Sequence, residues 1–336
     1  MIDYVKILVL KTDVDRLLRC LDFKSEISEN TGEIYGKKVA LYHYCKIVMY
    51  DSGLVLFTGS IHKMFNSLCN IKSPNYKKYS TSDHPDGFRE IYKGYNGNQF
   101  NINNVLKIKE HLIELFDCSA NELEFQNIEF GINTEPKFNP DIFIKGLMYQ
   151  KGKMFEFRFD NSFAQVVHQR YFFKIYNKSK QYGMSKDTLR VELKIIKSEY
   201  LKEIGIKTFE DINEATLKKA IGLLLRRFKE VVYYDYTIDK KKCLKRNLKF
   251  LKSYSNTRFW IYDLKPQHRD RHKKRLEKII NENSLKLKSQ INDEINKKCV
   301  INNRLLNSFK CVISNNSNIE LLITHSKSNS NAFLSS

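Results

Sequence analysis

Alternation of apolar and polar positions marks most of the strands in this chain. Tyr4–Leu10 is short and β-branched and reads as a strand. Leu41–Tyr50 and Leu54–Ser60 flank Asp51-Ser52-Gly53, a tight-turn sequence, and predict a hairpin. Glu124–Asn133, Met154–Phe159, Tyr171–Tyr176 and Thr188–Ile196 are further strands. Helical spacing appears where Val105, Ile108, Leu112 and Leu115 share a face, with Asn103 or Asn104 as the cap. Asn139-Pro140-Asp141 reads as a helix start. Thr208-Phe-Glu-Asp211 opens a helical stretch. Ala215–Val232 continues it, with Leu217, Ile221, Leu224, Phe228 and Val231 on a stripe that reads as core packing.

Other segments lack these periods. Ser73–Gly97 mixes Pro, Gly, Ser, Asp and Tyr and is expected to be an exposed loop. From Thr237 the chain is basic and mostly helical. Pro266 leads into Arg269–Lys298, where Leu276, Ile280, Leu287, Ile291 and Ile295 form a thin apolar line. Ser314–Ser336 is Ser/Asn-rich and is expected to fray into disorder. The pattern predicts an α+β fold, a central antiparallel sheet flanked by helices with a basic helical C-terminal region. The expected domains are 1–236, 237–311 and a 312–336 tail.

Composition adds charge to this picture. The 336 residues are 42% hydrophobic and 12% aromatic, enough for a packed core. The formal net charge is +20. A Lys-rich codon bias alone would spread that charge evenly. Between Thr237 and Lys310, however, 21 Lys and Arg stand against 7 Asp and Glu. Such a field attracts polyanions, with nucleic acid the expected partner and an anionic membrane surface the rival. The seven cysteines form no C-x-x-C pair, which argues against a zinc site or a disulfide framework and fits a reducing cytoplasm. The first ten residues lack a basic stretch and carry too short an apolar run for a signal peptide, and no stretch approaches a membrane span.

The strand-rich block carries the candidate chemistry. In strict alternation Glu129 shares a face with Asn127 and Phe125, and Arg190, Glu192 and Lys194 share another. If these strands are neighbours, one face presents two carboxylates framed by Lys and Arg. Carboxylates bind Mg²⁺ or Mn²⁺ through hard oxygens, and the basic groups hold phosphate. The plainer alternative is an exposed sheet face with ordinary charge pairs.

Gly59-Ser-Ile-His-Lys-Met-Phe-Asn66, Asn127-Ile-Glu-Phe130, Lys174-Ile-Tyr-Asn-Lys178 and Leu189-Arg-Val-Glu-Leu-Lys194 follow one another in an order that resembles the phage and plasmid replication initiators of the gene II/X family. The set is also similar to the trans-acting Rep proteins of rolling-circle replication, over roughly Tyr4 to Ile238. The resemblance implies a cytoplasmic, metal-dependent nickase for single-stranded or supercoiled origin DNA, with a host helicase as a further partner. In that chemistry a tyrosine attacks a phosphodiester, leaving a 5′-phosphotyrosine and a free 3′-hydroxyl. By position, Glu129 and Glu192 take the metal-side roles with Mg²⁺ or Mn²⁺. Lys174, Tyr176, Lys178 and Arg190 line the DNA, and His62 and Lys63 contact phosphate. The His-hydrophobic-His triplet of many rolling-circle nickases is missing. His43 and His168 each stand without a partner, which leaves an acidic ligand set.

Tyr200, shortly after the Glu192 strand, is the expected nucleophile, with Ser198 as a helix cap and Glu199 and Glu203 in reach to assist. Tyr233-Tyr-Asp-Tyr236 is the rival cluster, with aromatic packing as its plainer reading. In the basic region, Lys240–Lys242, Lys245, Arg246, Arg269, Arg271, Lys273, Lys274 and Arg275 are expected to touch the DNA backbone, with Phe259, Trp260 and Tyr262 beside them to stack on bases. A non-catalytic DNA-binding protein and an RNA-binding protein are the competing functions. Titration with salt should weaken DNA binding steeply, by about a thousandfold from low to moderate salt if about six phosphates are neutralised. Fluorescence anisotropy across a salt series checks this.

Overall fold

The computed structural model describes residues 2–27, 32, 34–76 and 93–308. The Ser314–Ser336 tail, Cys311 and most of the expected 73–97 loop lie outside the described residues. The fold is α+β. The strands are β1 (Ile2–Val9), β2 (Lys24–Ile27), β3 (Ile34–Tyr42), β4 (Cys45–Tyr50), β5 (Val55–Ser60), β6 (Leu123–Thr134), β7 (Leu147–Gln150), β8 (Lys153–Met154), β9 (Glu156–Arg158), β10 (Phe163–Val167), β11 (Tyr171–Asn177), β12 (Leu189–Ile195) and β13 (Val231–Tyr233). Ten of them form one sheet in the order β2-β3-β4-β5-β1-β6-β12-β11-β10-β9, with antiparallel pairing throughout. β13, β7 and β8 make a small second sheet. The helices used below are α1 (Val14–Cys20), α2 (Ile61–Leu68), α3 (Ile102–Phe116), α4 (Pro140–Lys145), α5 (Lys178–Tyr182), α6 (Ser198–Lys202), α7 (Glu214–Lys229), α8 (Lys245–Tyr254), α9 (Arg269–Asn283) and α10 (Leu287–Ser308).

Cross-strand register gives the main sheet two unlike faces. Val5, Ile7 and Val9 of β1 align with Gly59, Phe57 and Val55 of β5, and these with Cys45, Ile47 and Met49 of β4. On the other side of β1, Ile128, Phe130, Val191, Leu193, Phe173 and Ile175 continue the apolar layer. The apolar stripes of α3 and α7 join this layer in one core. Asn101, not Asn103 or Asn104, caps α3, and Phe116 rather than Leu115 completes its buried stripe. The opposite face carries Lys6, Glu129, Arg190, Glu192, Lys194, Lys174 and Tyr176.

Three expected segments divide. Leu41–Tyr50 is broken by a tight turn at His43 and Tyr44, both at positive φ (45° and 63°), so His43 is not in a strand. Met154–Phe159 divides into β8 and β9. Arg269–Lys298 divides at Ser284–Lys286 into α9 and α10, with Lys286 at φ 58°. Its apolar line therefore serves two cores. Leu276 and Ile280 join Trp260, Tyr254 and Leu251 against β7 and β13, whereas Leu287, Ile291 and Ile295 join the main core.

Asp235 fixes this break. It is fully buried, and its carboxylate accepts from Thr237 N (3.0 Å), Thr237 Oγ1 (2.6 Å), Leu287 N (2.9 Å) and Ser284 Oγ (3.2 Å). The acid of the Tyr233–Tyr236 cluster thus caps α10 rather than serving chemistry. Asp235→Ala leaves the buried Leu287 N and three part-buried donors of Thr237 and Ser284 without this acceptor. The expected loss is about 3 kcal/mol, or a melting temperature lower by about 5–10 °C, measurable by circular dichroism.

Candidate metal centre on the open sheet face

Two bulges build the site. Between β1 and β6, Ile2 pairs with Phe130 and Val5 with Ile128, so β1 carries one extra residue at Asp3-Tyr4. Ile2 and Val5 both face the core, and Asp3 is left to point at the polar side. A second bulge at Gln126 lies between the Lys6–Asn127 and Ile7–Phe125 pairs. It turns Phe125 into the core against Phe209, so Phe125 does not share the face of Glu129 as strict alternation predicts. Gly131 is opposite Glu192, and a Cβ there would lie 2.8 Å from Arg190 Nη2 and from Glu192 Cγ. A glycine lets the guanidinium lie flat over β6.

The result is a buried cluster. Ligand oxygens of Asp3, Glu129 and Glu192 lie within 4.8 Å of one another. Arg190 Nη2 donates to Asp3 Oδ2 (3.0 Å), its Nε donates to Glu192, and its Nη1 donates to Asn133 Oδ1 (2.9 Å). Lys174 Nζ donates to Glu129 and to Glu192 Oε2 (3.3 Å). Tyr176 Oη donates to Glu192 Oε1 (2.8 Å). Lys178 Nζ donates to Asn96 Oδ1 and to Tyr176 Oη (3.3 Å). Asn96 Nδ2 donates to Asp3 Oδ2 (2.6 Å), and Tyr182 Oη donates to Asn96 Oδ1 (2.7 Å). Three carboxylates thus meet three basic side chains.

Burial and neighbours set the ionisation. Burial would raise Glu192, but Lys174, Arg190 and Lys178 outweigh it and hold it below the usual carboxylate range. Asp3 is held low in the same way by Arg190 and Lys178. Glu129 goes the other way. Burial, and then repulsion from Glu192, push it up to about 7 despite Lys174. Burial and Arg190 lower Lys178 to about 7. Burial raises Tyr176 well above the usual phenol value.

The expected site residues fall into three groups. Glu129, Glu192, Lys174, Tyr176, Lys178 and Arg190 come together. His62 and Lys63 are held by other partners. His62 is buried, stacks on Phe100 (4.5 Å), lies 2.7 Å from Asn98 Oδ1, and is pushed down to about 3 by burial, so it is neutral. Lys63 Nζ is tied to the Lys93 carbonyl (2.7 Å). Tyr200 does not share the carboxylate face. Its ring stacks on Tyr171 (5.8 Å), and its hydroxyl accepts from Arg227 Nε (3.0 Å). Tyr171 pairs with Ile195 on the helix-covered side, so the sheet lies between Tyr200 and Glu192. The expected proximity of Tyr200 to the carboxylates is corrected accordingly.

The rival tyrosines and the basic region also sort by burial. Tyr233 and Tyr234 are buried, whereas Tyr236 is exposed. Trp260 is fully buried with Nε1 donating to the Tyr254 carbonyl (2.9 Å), so it offers no face to a base. Arg269 is half-buried with Nη2 on the Ile261 carbonyl (2.9 Å), and Arg275 lies over Phe250 (4.3 Å). Lys273 is half-buried, and Arg271 and Lys274 remain exposed. Sequence reasoning missed Asp3 and Asn96. The signal for Asp3 was two apolar residues, Ile2 and Val5, three apart in a strand of period two. Asn96 had none, since it comes from the aperiodic segment.

No family model matches the chain, and no curated protein matches it. A solved structure, the rolling circle replication initiator protein from Geobacillus stearothermophilus, aligns over 76% of this chain and 96% of that one, at 10% identity and a TM-score of 0.35. A likeness at that level carries no argument, and the functional reading rests on the site. No helix among the described residues is long and apolar enough to cross a membrane.

The Glu129 shift has a consequence for stability. The folded chain holds this proton up to about 7, the unfolded chain only to the ordinary carboxylate value. The stabilisation by protonated Glu129 is therefore present in acid and is lost as pH rises through about 7. In chelator, the melting temperature of the parent should fall relative to Glu129→Gln between about pH 5 and 8. Mg²⁺ or Mn²⁺ should restore the parent and not the variant.

Proposed function

We propose that this chain is a replication-initiator enzyme that cleaves and rejoins single-stranded origin DNA with Mg²⁺ or Mn²⁺. The observation that carries this reading is the convergence of Asp3, Glu129 and Glu192, from three adjacent strands, within 4.8 Å. The donor set is all carboxylate oxygen, which suits a hard divalent ion. Such an ion would be held by these three residues and would supply charge stabilisation to a phosphodiester. Lys174 and Arg190 add the cationic groups that a phosphate needs, and the +20 charge of the chain draws DNA to it.

The same geometry favours Tyr176 over Tyr200 for the covalent step. The Tyr176 oxygen is 2.8 Å from Glu192 and 3.3 Å from Lys178. In this reading it bonds to phosphorus as the bond from phosphorus to the 3′ oxygen breaks. Its proton passes to Lys178 in the neutral amine form that burial makes accessible near pH 7, and from the resulting ammonium to the departing 3′ oxygen. The products are a 5′-phosphotyrosine and a free 3′-hydroxyl.

Nicking of supercoiled DNA and capture of a covalent adduct on a denaturing gel test the proposal. The parent is expected to cleave only with divalent metal. Glu192→Gln should reduce the rate by at least about a hundredfold. Tyr176→Phe should abolish the adduct and Tyr200→Phe should retain it. An adduct lost in Tyr200→Phe alone would return the nucleophile to that residue. DNA binding without any cleavage by the parent would leave a non-catalytic DNA-binding protein.

A further inference from the structure

The polar face continues past the buried carboxylates to the sheet edge as a row of rings. Phe163 of β10 pairs with Tyr176 of β11, and their ring centroids are 5.5 Å apart. Phe159 meets Phe163 edge-on at 6.1 Å. Tyr176 in turn touches Glu192. The contacts thus run without a break from the edge strands to the candidate metal centre.

The outermost ring is held out on purpose-built backbone. Phe159 is 74% exposed. Phe159, Asp160 and Asn161 lie in succession at φ 53°, 51° and 61°, a left-handed run without glycine. Each such residue is unfavourable, and a phenylalanine gains nothing locally from it. Ser162 ties the turn by donating N (3.0 Å) and Oγ (2.6 Å) to the Phe159 carbonyl. Strain of this kind persists where a side chain is being positioned for use. A packing role would bury the ring, and here it stands in water.

We propose that Phe159 and Phe163 form a stacking platform for consecutive bases of a single strand, leading its backbone to the carboxylate cluster. The proposal rests on the phosphodiester reading above for its direction along the face. The occupant follows from the neighbours. Arg158, opposite Phe163, and Glu156 form an exposed ion pair beside the rings, which disfavours a wholly apolar protein or lipid partner on this face. Lys6 and Lys194 stand on the same face and offer charge to phosphates. A duplex hides its base faces, whereas a single strand presents them to aromatic rings.

Binding of the full chain to labelled oligothymidylate, to a duplex hairpin and to an abasic oligonucleotide tests this, read by fluorescence anisotropy in chelator so that cleavage plays no part. Phe159→Ala is expected to weaken oligothymidylate binding about five- to a hundredfold, the usual worth of one stacked base. Duplex and abasic binding should stay within about twofold of the parent, and Phe159→Trp should retain oligothymidylate affinity. An unchanged melting temperature is expected for both variants, because the ring is exposed. Equal loss on all three probes, no loss on oligothymidylate, or a parent that does not bind oligothymidylate would overturn the platform. A stacking defect in Phe159→Ala beside a parent that never nicks would keep the platform and sink the cleavage reading. Nicking by the parent with unaltered Phe159→Ala binding would do the reverse.

Discussion

Arg190 is the residue on which the carboxylate cluster depends. Its guanidinium bridges Asp3 and Glu192 and reaches Asn133 while buried under the sheet face. Asp3 and Glu192 would not both stay ionised this close without it, because like charges in low dielectric raise one another's pKa. Glu129, the one that Arg190 does not touch, is the one that rises. The fold makes room for the guanidinium in the one place a side chain would obstruct it, at Gly131. The bulge at Asp3 supplies its second carboxylate. A glycine, a bulge and an arginine on three adjacent strands therefore form a single device.

Much of the sheet was legible because period two survives in most of its strands. β6, β11 and β12 fall close to where alternation places them, and the shared face of Glu129 and Glu192 follows from it. Two of the misses depend on a local break in period that only pairing reveals. The extra residue at Asp3-Tyr4 brought a third acid to the site. The extra residue at Gln126 sent Phe125 to the core. Tyr200 follows the Glu192 strand closely in sequence, but the chain crosses to the helix-covered face before reaching it. Proximity along a chain says nothing about which side of a sheet a side chain takes.

The basic C-terminal region combines exposed charge at Lys240–Lys242, Lys245, Arg246, Arg271 and Lys274 with cations that hold its own core. Its residues were expected to meet DNA as a group. Arg269 instead holds a carbonyl, Arg275 covers a ring, and Lys288 Nζ donates to the carbonyls of Lys229 (3.1 Å) and Val231 (2.6 Å). Those side chains stabilise the second core and the seat of α10. Tyr262, exposed beside the buried Trp260, is the aromatic of that segment left to meet a base. The region is built around its own core of Tyr254, Trp260 and Leu276. Its positive field still acts on a polyanion that comes within the screening length of about 8–10 Å.

Lys174 decides how a divalent ion would be used. Its ammonium pairs with both Glu129 and Glu192, and those two carboxylates raise it above the ordinary lysine value even though burial acts against it. An ion held by Glu129 and Glu192 therefore competes with a counterion already in place. The competition lowers affinity, since the incoming charge replaces an existing attraction instead of filling a void. It would also free a cation on binding. A lysine released from two carboxylates would be a mobile positive charge beside Tyr176, on the face where a phosphate would arrive. Without an ion, Lys174 supplies the counter-charge to both carboxylates.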